Sequence, residues 1–160
     1  MSNDYSKDLP ISWEEFHSQS HSLGQKLKGM KPWKGIIAVT RGGLIPACLV
    51  AQETGLKHIE TISIETYSHQ EQSSEPKIHY KPELSDEGEN WLIIDDLSDT
   101  GNTFKIIREM YPKAYYACVY VKPNGADQAD TYMEEISQET WIYLPWELES
   151  QKFADHLLAS

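Results

Sequence analysis

Residues 91–103 read Trp-Leu-Ile-Ile-Asp-Asp-Leu-Ser-Asp-Thr-Gly-Asn-Thr, and the fold turns on this stretch. A short, branched apolar run, Trp91 to Ile94, stops at two adjacent carboxylates. A run of that length and branching reads as a buried strand of a parallel sheet. Helical periodicity resumes at Phe104 and continues through Ile106, Ile107 and Met110. The acids and Thr100 to Thr103 are therefore expected between a strand's carboxyl end and a helix amino end. In open α/β sheets that crevice is where ligands bind.

The chemistry of the stretch suits that place. Backbone N–H groups and two hydroxyls at a helix amino end favour a phosphate dianion. Gly101 lets the backbone approach a ligand or take a positive φ. Asp95 and Asp96 would repel the same phosphate, but they suit ribose hydroxyls, directly or through a divalent cation. The pattern describes a seat for a phosphorylated ribose. The plain alternative is a strand followed by an Asp-capped turn and a helix.

Working outward, residues 1–10 read as a frayed polar leader. Ser12-Trp13-Glu14-Glu15 fits a capping box, and a helix follows to about Lys28. Gly35 to Thr40 is a compact apolar strand, Arg41-Gly42-Gly43 a tight turn, and Leu44 to Thr54 a helix stopped at Gly55. Ile59 to Tyr67 alternates as a strand. Residues 68–90 are polar, with two prolines and no apolar period, and are read as a long mobile excursion that could hold a hairpin. Ala114 to Val121 is a further strand; Tyr132 to Ile136 and Trp141 to Tyr143 are short edge strands; a short helix is expected beyond Glu147. Alternating strands and helices imply an α/β fold, a mainly parallel twisted sheet flanked by helices. The length of 160 residues suits one domain.

The net charge of −11 argues against nucleic acid or an anionic membrane surface as partner. Cys48 and Cys118 lie in apolar runs and are expected to be buried free thiols of a reducing cytosol. No apolar run reaches transmembrane length, and a cytoplasmic location is expected.

Three further positions carry chemistry. Arg41-Gly42-Gly43 repeats the anion-binding logic at a second strand end, with a bidentate donor added; a plain turn is the alternative. Lys122 follows another strand and would suit a base carbonyl, unless it is only a solvated strand-end lysine. Trp141, beside Ile142, would suit the face of a purine, unless it is a core tryptophan. His17 and His21 share a helix face without further ligands nearby and read as solvated.

Assembled, these residues resemble the type I phosphoribosyltransferases, whose signature is an apolar strand, two acids, two variable positions and Asp-Thr-Gly-x-Thr. Ile93 to Thr103 matches it. More narrowly, Trp33 to Val39 with Arg41 to Leu44, Arg108 to Ala114, Lys122-Pro123 and Thr140 to Ile142 with Pro145-Trp146 resemble the bacterial xanthine–guanine phosphoribosyltransferases. The likeness spans about residues 11–147.

The resemblance implies transfer of ribose 5-phosphate from phosphoribosyl pyrophosphate (PRPP) to N9 of guanine, xanthine or, less well, hypoxanthine, with Mg2+ as cofactor. It implies pyrophosphate contacts at Arg41 and Gly42, with a cis peptide in that turn. Asp95 and Asp96 would meet the ribose hydroxyls, Asp96 being the metal ligand. Asp99 would act as general acid/base at N7, and Thr100, Gly101, Asn102 and Thr103 would seat the 5-phosphate. Lys122 would meet O6, Trp141 would stack on the base, and the Trp141–Ile142 backbone would read position 2. Residues 68–90 would form a lid and the terminal segments, with 123–160, a small hood. A homotetramer or dimer is implied, with Tyr115 and Tyr116 as interface aromatics; loose association with the inner membrane occurs among the relatives. The chain departs from the family at Asn102, where many relatives have glycine, and in a lid without arginine, so that Lys77 or Lys81 must supply its cation. Competing expectations are a non-catalytic PRPP- or nucleotide-binding regulator of the same fold and a transferase acting on another base.

Overall fold

A computed structural model describes residues 5–66 and 75–148. The chain order is β1 (Lys7–Pro10), α1 (Trp13–Leu27), β2 (Gly35–Thr40), α2 (Leu44–Thr54), β3 (Ile59–Glu65), β4 (Lys77–Tyr80), β5 (Trp91–Ser98), α3 (Asn102–Met110), β6 (Tyr115–Val121), β7 (Thr131–Glu135) and β8 (Thr140–Tyr143). A single 3-10 turn, Ala126–Gln128, joins β6 to β7.

The central sheet has the order β4-β3-β2-β5-β6-β7. All its pairings are parallel except β3 with β4. Its middle strands are buried on both faces, which is why they are nearly all Ile, Val, Ala and aromatic. Alternation along them divides the core. Ile36, Ala38, Leu92 and Ile94 face one layer with Phe16, Leu23 and Val50 from α1 and α2. Ile37, Val39 and Ile93 face the other layer with Phe104 and Ile107 from α3.

Ser12 caps α1 as expected, its hydroxyl accepting from Glu15 N–H at 3.1 Å. Gly55, at φ 76°, ends α2 in the left-handed region.

Several expectations are corrected. Within the supposed leader, residues 7–10 form β1, which pairs parallel with β8 in a separate two-stranded sheet. Of the segment 123–160 expected to form a hood, only β8 lies in this small sheet among the described residues, and β7 joins the edge of the central sheet beside β6. The segment read as a mobile excursion contains β4, and its later half is anchored. Tyr111 donates to the Pro82 carbonyl, Lys113 N–H to Glu87 at 3.1 Å and Lys34 N–H to Asn90 at 2.8 Å. Residues 67–74, the rest of the expected lid, and those after 148 lie outside the described residues.

Strand β5 runs on to Ser98 rather than stopping at Ile94, because Asp95, Leu97 and Ser98 pair with Cys118, Tyr120 and Val121 of the longer β6. Cys48 is exposed, although Cys118 is buried; both are free thiols. The α2 sequence is apolar nearly all round, and its inner face takes Pro46, Ala47, Val50 and Ala51, which leaves Cys48 outward with Leu44. Tyr116 is fully buried under the Phe104 ring, so it is no interface residue.

Buried hydroxyls test the packing. Among the described residues, Ser20 Oγ and Tyr120 OH are buried without a hydrogen-bond partner. A buried polar group left unpaired costs on the order of 1 kcal/mol or more, and alanine is the better helix former. Ser20→Ala is expected to raise the unfolding free energy by about 1 kcal/mol, read from a urea denaturation curve.

Candidate active site

The carboxyl ends of β2 and β5 lie side by side, with Ala38 opposite Ile94. The turn after β2 carries a cis peptide between Thr40 and Arg41. Its glycines admit the neighbouring strand. A Cβ on Gly42 would stand 2.3 Å from Asp96 Oδ2, and one on Gly43 2.2 Å from the Ile94 carbonyl oxygen. No side chain fits at either position. Arg41 is exposed at the rim.

Asp95 and Asp96 sit half-buried on the last turns of β5. Asp95 Oδ1 accepts from Asp96 N–H at 2.8 Å, and Asp96 Oδ1 accepts from Leu97 N–H at 2.6 Å. Burial, then the neighbouring Asp96 charge, pushes the Asp95 carboxyl well above the usual range. Burial also raises Asp96, with Glu147 adding repulsion.

A crevice of about 910 Å³ opens beside the pair, lined by Arg41, Gly42, Asp96, Glu65, His79 and Glu147 among others. Sequence reading missed three of these, Glu65, His79 and Glu147. His79 projects from β4 and pairs with Glu65 at 3.0 Å. Glu147 follows β8, and its carboxylate Oε2 accepts from Leu144 N–H at 3.0 Å. Their signal was weak because β4 is short and every residue on it is exposed. Lys77 stands opposite Glu65 in register, two residues before His79 on β4, and does not line the crevice. Lys81 pairs instead with Glu83 at 3.6 Å.

Beyond Ser98 the chain turns into α3. Gly101 takes φ 81° at the N-cap position, a conformation that favours glycine, and no side chain caps the helix there. Thr100 Oγ1 accepts from Asn102 N–H at 3.3 Å. The Asn102 side chain is exposed and Thr103 half-buried, so the amino end of α3 opens outward with these two side chains on its first turn. That exposure leaves room for the asparagine side chain.

The third group lies on the far side of Asp99. Lys122 is not a solvated strand-end lysine, being only 1% exposed with its ammonium 2.9 Å from Asp99 Oδ2. Gln138 Nε2 donates to Asp99 Oδ1 at 2.7 Å, a contact that sequence reading missed because Gln138 belongs to no motif. Gly125 makes room beneath: a Cβ there would stand 2.3 Å from the Ser98 carbonyl oxygen. Trp141 is not a core tryptophan but 41% exposed, whereas the Ile142 side chain is buried. The Trp141 ring meets Tyr5 edge-on at 5.0 Å. The structure thus places the expected acids, the phosphate-type loop and Lys122 at the carboxyl ends of neighbouring strands of the central sheet, with Trp141 and Ile142 on the separate two-stranded sheet.

The sequence pattern of the phosphoribosyl transferase domain matches residues 24–152. The chain belongs to the phosphoribosyltransferase family. It is 47% identical over 147 residues to the xanthine-guanine phosphoribosyltransferase of Nitratidesulfovibrio vulgaris strain Hildenborough, covering 92% of this chain and 89% of that one. Identity to the enzyme of the same name from Desulfotalea psychrophila is 44%, covering 94% and 93%. Among solved structures, a purine phosphoribosyltransferase from Pyrococcus horikoshii aligns with a TM-score of 0.74 at 31% identity, covering 88% of this chain and 94% of that one. The protein is an enzyme, a transferase like these relatives.

The half-buried acid pair has a pH signature. An acid whose pKa is higher in the folded than in the unfolded chain carries no penalty when both forms are protonated. The penalty appears as pH climbs above about 4 and is complete above the folded value. Asp95→Asn keeps the oxygen that accepts from Asp96 N–H and removes one of the two repelling charges. In metal-free buffer at pH 7 the variant is expected to melt at a higher temperature than the wild type. That gain should shrink steadily as pH is lowered toward about 4, as read by thermal denaturation across pH.

Proposed function

We propose that the protein transfers 5-phosphoribose from PRPP to N9 of guanine or xanthine, and less well hypoxanthine, releasing pyrophosphate in purine salvage. The observation that carries this reading is the pairing of buried Lys122, just beyond β6, with Asp99, just beyond the β5 acids Asp95 and Asp96, at 2.9 Å. The names and high identities of the curated relatives support the same substrates.

The roles follow from position. The open amino end of α3, with Thr100, Gly101, Asn102 and Thr103, seats the 5-phosphate. Asp95 and Asp96 hold the ribose hydroxyls. Arg41 and the Gly42 backbone take the pyrophosphate, with His79 as a second basic group across the crevice and Lys77 on the same face of β4 by strand alternation. Trp141 offers a ring face to the base, Lys122 donates to O6, and the backbone at Trp141–Ile142 reads position 2.

Asp96 suits Mg2+. Its carboxylate lines the crevice, and the neighbouring Glu147 charge favours a cation there. Among the described residues no cluster of three or more ligands forms. When bound, the ion supplies charge neutralisation for the leaving pyrophosphate.

Breaking the C1–O bond sends its electron pair to pyrophosphate and leaves oxocarbenium character on the ribose, as in glycoside hydrolysis. Arg41 stabilises the departing charge. The N9 lone pair of a base protonated at N7 closes the new bond to C1, and the N7 proton passes to Asp99. Lys122 and Gln138 hold the Asp99 carboxylate in place as acceptor. The enzyme is proposed to work in the cytoplasm. Among the described residues no helix is long and apolar enough to cross a membrane. Assembly as a homo-oligomer, a dimer or tetramer, is proposed; outward Leu44 on α2, 45% exposed, supports it.

The test incubates the protein with PRPP, Mg2+ and each of guanine, xanthine and hypoxanthine. Nucleotide and pyrophosphate are expected in equal amounts, fastest with the first two bases; no product from any base would overturn the proposal. Asp99→Asn is expected to lower kcat by roughly 100-fold or more, since positioned acid–base groups contribute about that much. A full rate in that variant would remove Asp99 from the proton transfer.

A further inference from the structure

Tyr5 lies just before β1, and its ring reaches the group that reads the base. Ser6 N–H donates to the Glu139 carbonyl at 2.9 Å, and Lys7 to Pro10 continue in register beside Thr140 to Tyr143. The segment is thereby fastened to the strand that carries Trp141. From that anchor the half-buried Tyr5 side chain meets three groups among the described residues. Its hydroxyl is 3.4 Å from Asp99 Oδ2. Its ring lies 4.5 Å from the Lys122 ammonium. The same ring meets the Trp141 ring at 5.0 Å, at an interplanar angle of 65°.

These are the three side chains assigned above to N7, O6 and the face of the purine. A phenol also imitates a purine there chemically. Its O–H donates to the Asp99 carboxylate as a purine N7–H would, and its π face meets the ammonium that would otherwise seek a carbonyl oxygen. Tyr5 and a purine cannot both hold Asp99 Oδ2 and the space over Lys122.

We propose that Tyr5 occupies the base site of the substrate-free enzyme, so that an incoming purine binds only by displacing it. This rests on the proposed activity and goes beyond it by assigning a residue that sets the apparent affinity for base. The displacement is local: the hydrogen bonds of β1 begin at Ser6, so Tyr5 swings out while the two-stranded sheet stays paired. A hydroxyl contact of 3.4 Å is long for an O–H···O bond, which suits a ligand meant to leave. Occupancy by Tyr5 lowers the fraction of competent sites, and apparent affinity falls by that fraction.

The experiment compares the full chain with Tyr5→Ala and Tyr5→Phe at saturating PRPP and Mg2+. Tyr5→Ala is expected to lower the KM for guanine by roughly 3–10-fold, with kcat and the KM for PRPP within about two-fold of wild type. Tyr5→Phe, which keeps the ring and loses the hydroxyl, is expected to fall between. Calorimetric titration with guanosine monophosphate should show the dissociation constant falling by a similar factor in the same order. An unchanged KM and dissociation constant overturn the proposal, and so does a raised one, because it would make Tyr5 a wall of the base site rather than its occupant. A wild-type chain that makes no nucleotide at all sinks the proposed activity instead. A wild-type chain that turns over while Tyr5→Ala matches it sinks only the role of Tyr5.

Discussion

The register that sets Ala38 beside Ile94 determines where everything else goes. Two parallel neighbours end at the same level, so the turn after β2 and the acids of β5 become facing walls of one crevice. The contact between them is backbone against carboxylate: Gly42 on Asp96 and Gly43 on the Ile94 carbonyl, each closer than any Cβ allows. A shift by one residue would exchange the two faces of β2, placing Ile37 and Val39 where Ile36 and Ala38 now pack. The core therefore holds the register, and the register holds the site.

Charge organises the same crevice in an unusual way. The whole chain carries −11, and Asp96, Glu65 and Glu147 line a cavity whose basic groups are Arg41 and His79 among the described residues. Such a cavity disfavours a phosphate-rich ligand on its own. It favours a ligand that arrives with a cation, because the cation relieves Asp96, already held above its usual pKa by burial and by the Glu147 charge. Under the proposed activity the crowded carboxylates give the ligand-free protein a built-in preference for the metal complex of the substrate over the bare anion.

What could be read from the sequence was what local pattern encodes. Residues 35–40 and 91–94 announce buried strands by branching alone, and the loops at their ends announce anion seats by glycine, arginine and hydroxyl content. The cis peptide at Thr40–Arg41 and the positive φ of Gly101 fall where the motifs place them. What was missed depends on partners far along the chain. Residues 7–10 are short and mostly polar, and they become a strand only because β8, more than a hundred residues later, lies beside them. Gln138, His79 and Glu147 sit on exposed or irregular segments without period, and topology alone brings them to the acids. The all-round apolar α2 hid its own inner face, so the exposure of Cys48 could not be deduced.

Lys122 shows how the fold converts a strand end into a specificity element. An ammonium buried to 1% exposure is tolerable only with a charged partner, and Asp99 is that partner. A solvated lysine would lose side-chain freedom each time a base bound; this one has lost it already in folding. The pair is thus preorganised, and it has a sign. Under the proposed activity a 6-oxopurine offers an acceptor to Lys122. A 6-aminopurine would turn a donor toward it and leave a buried donor unmet. The same ammonium that holds the Asp99 carboxylate in place for the N7 proton therefore excludes the wrong base, so proton acceptance and base choice cannot be altered independently at this site.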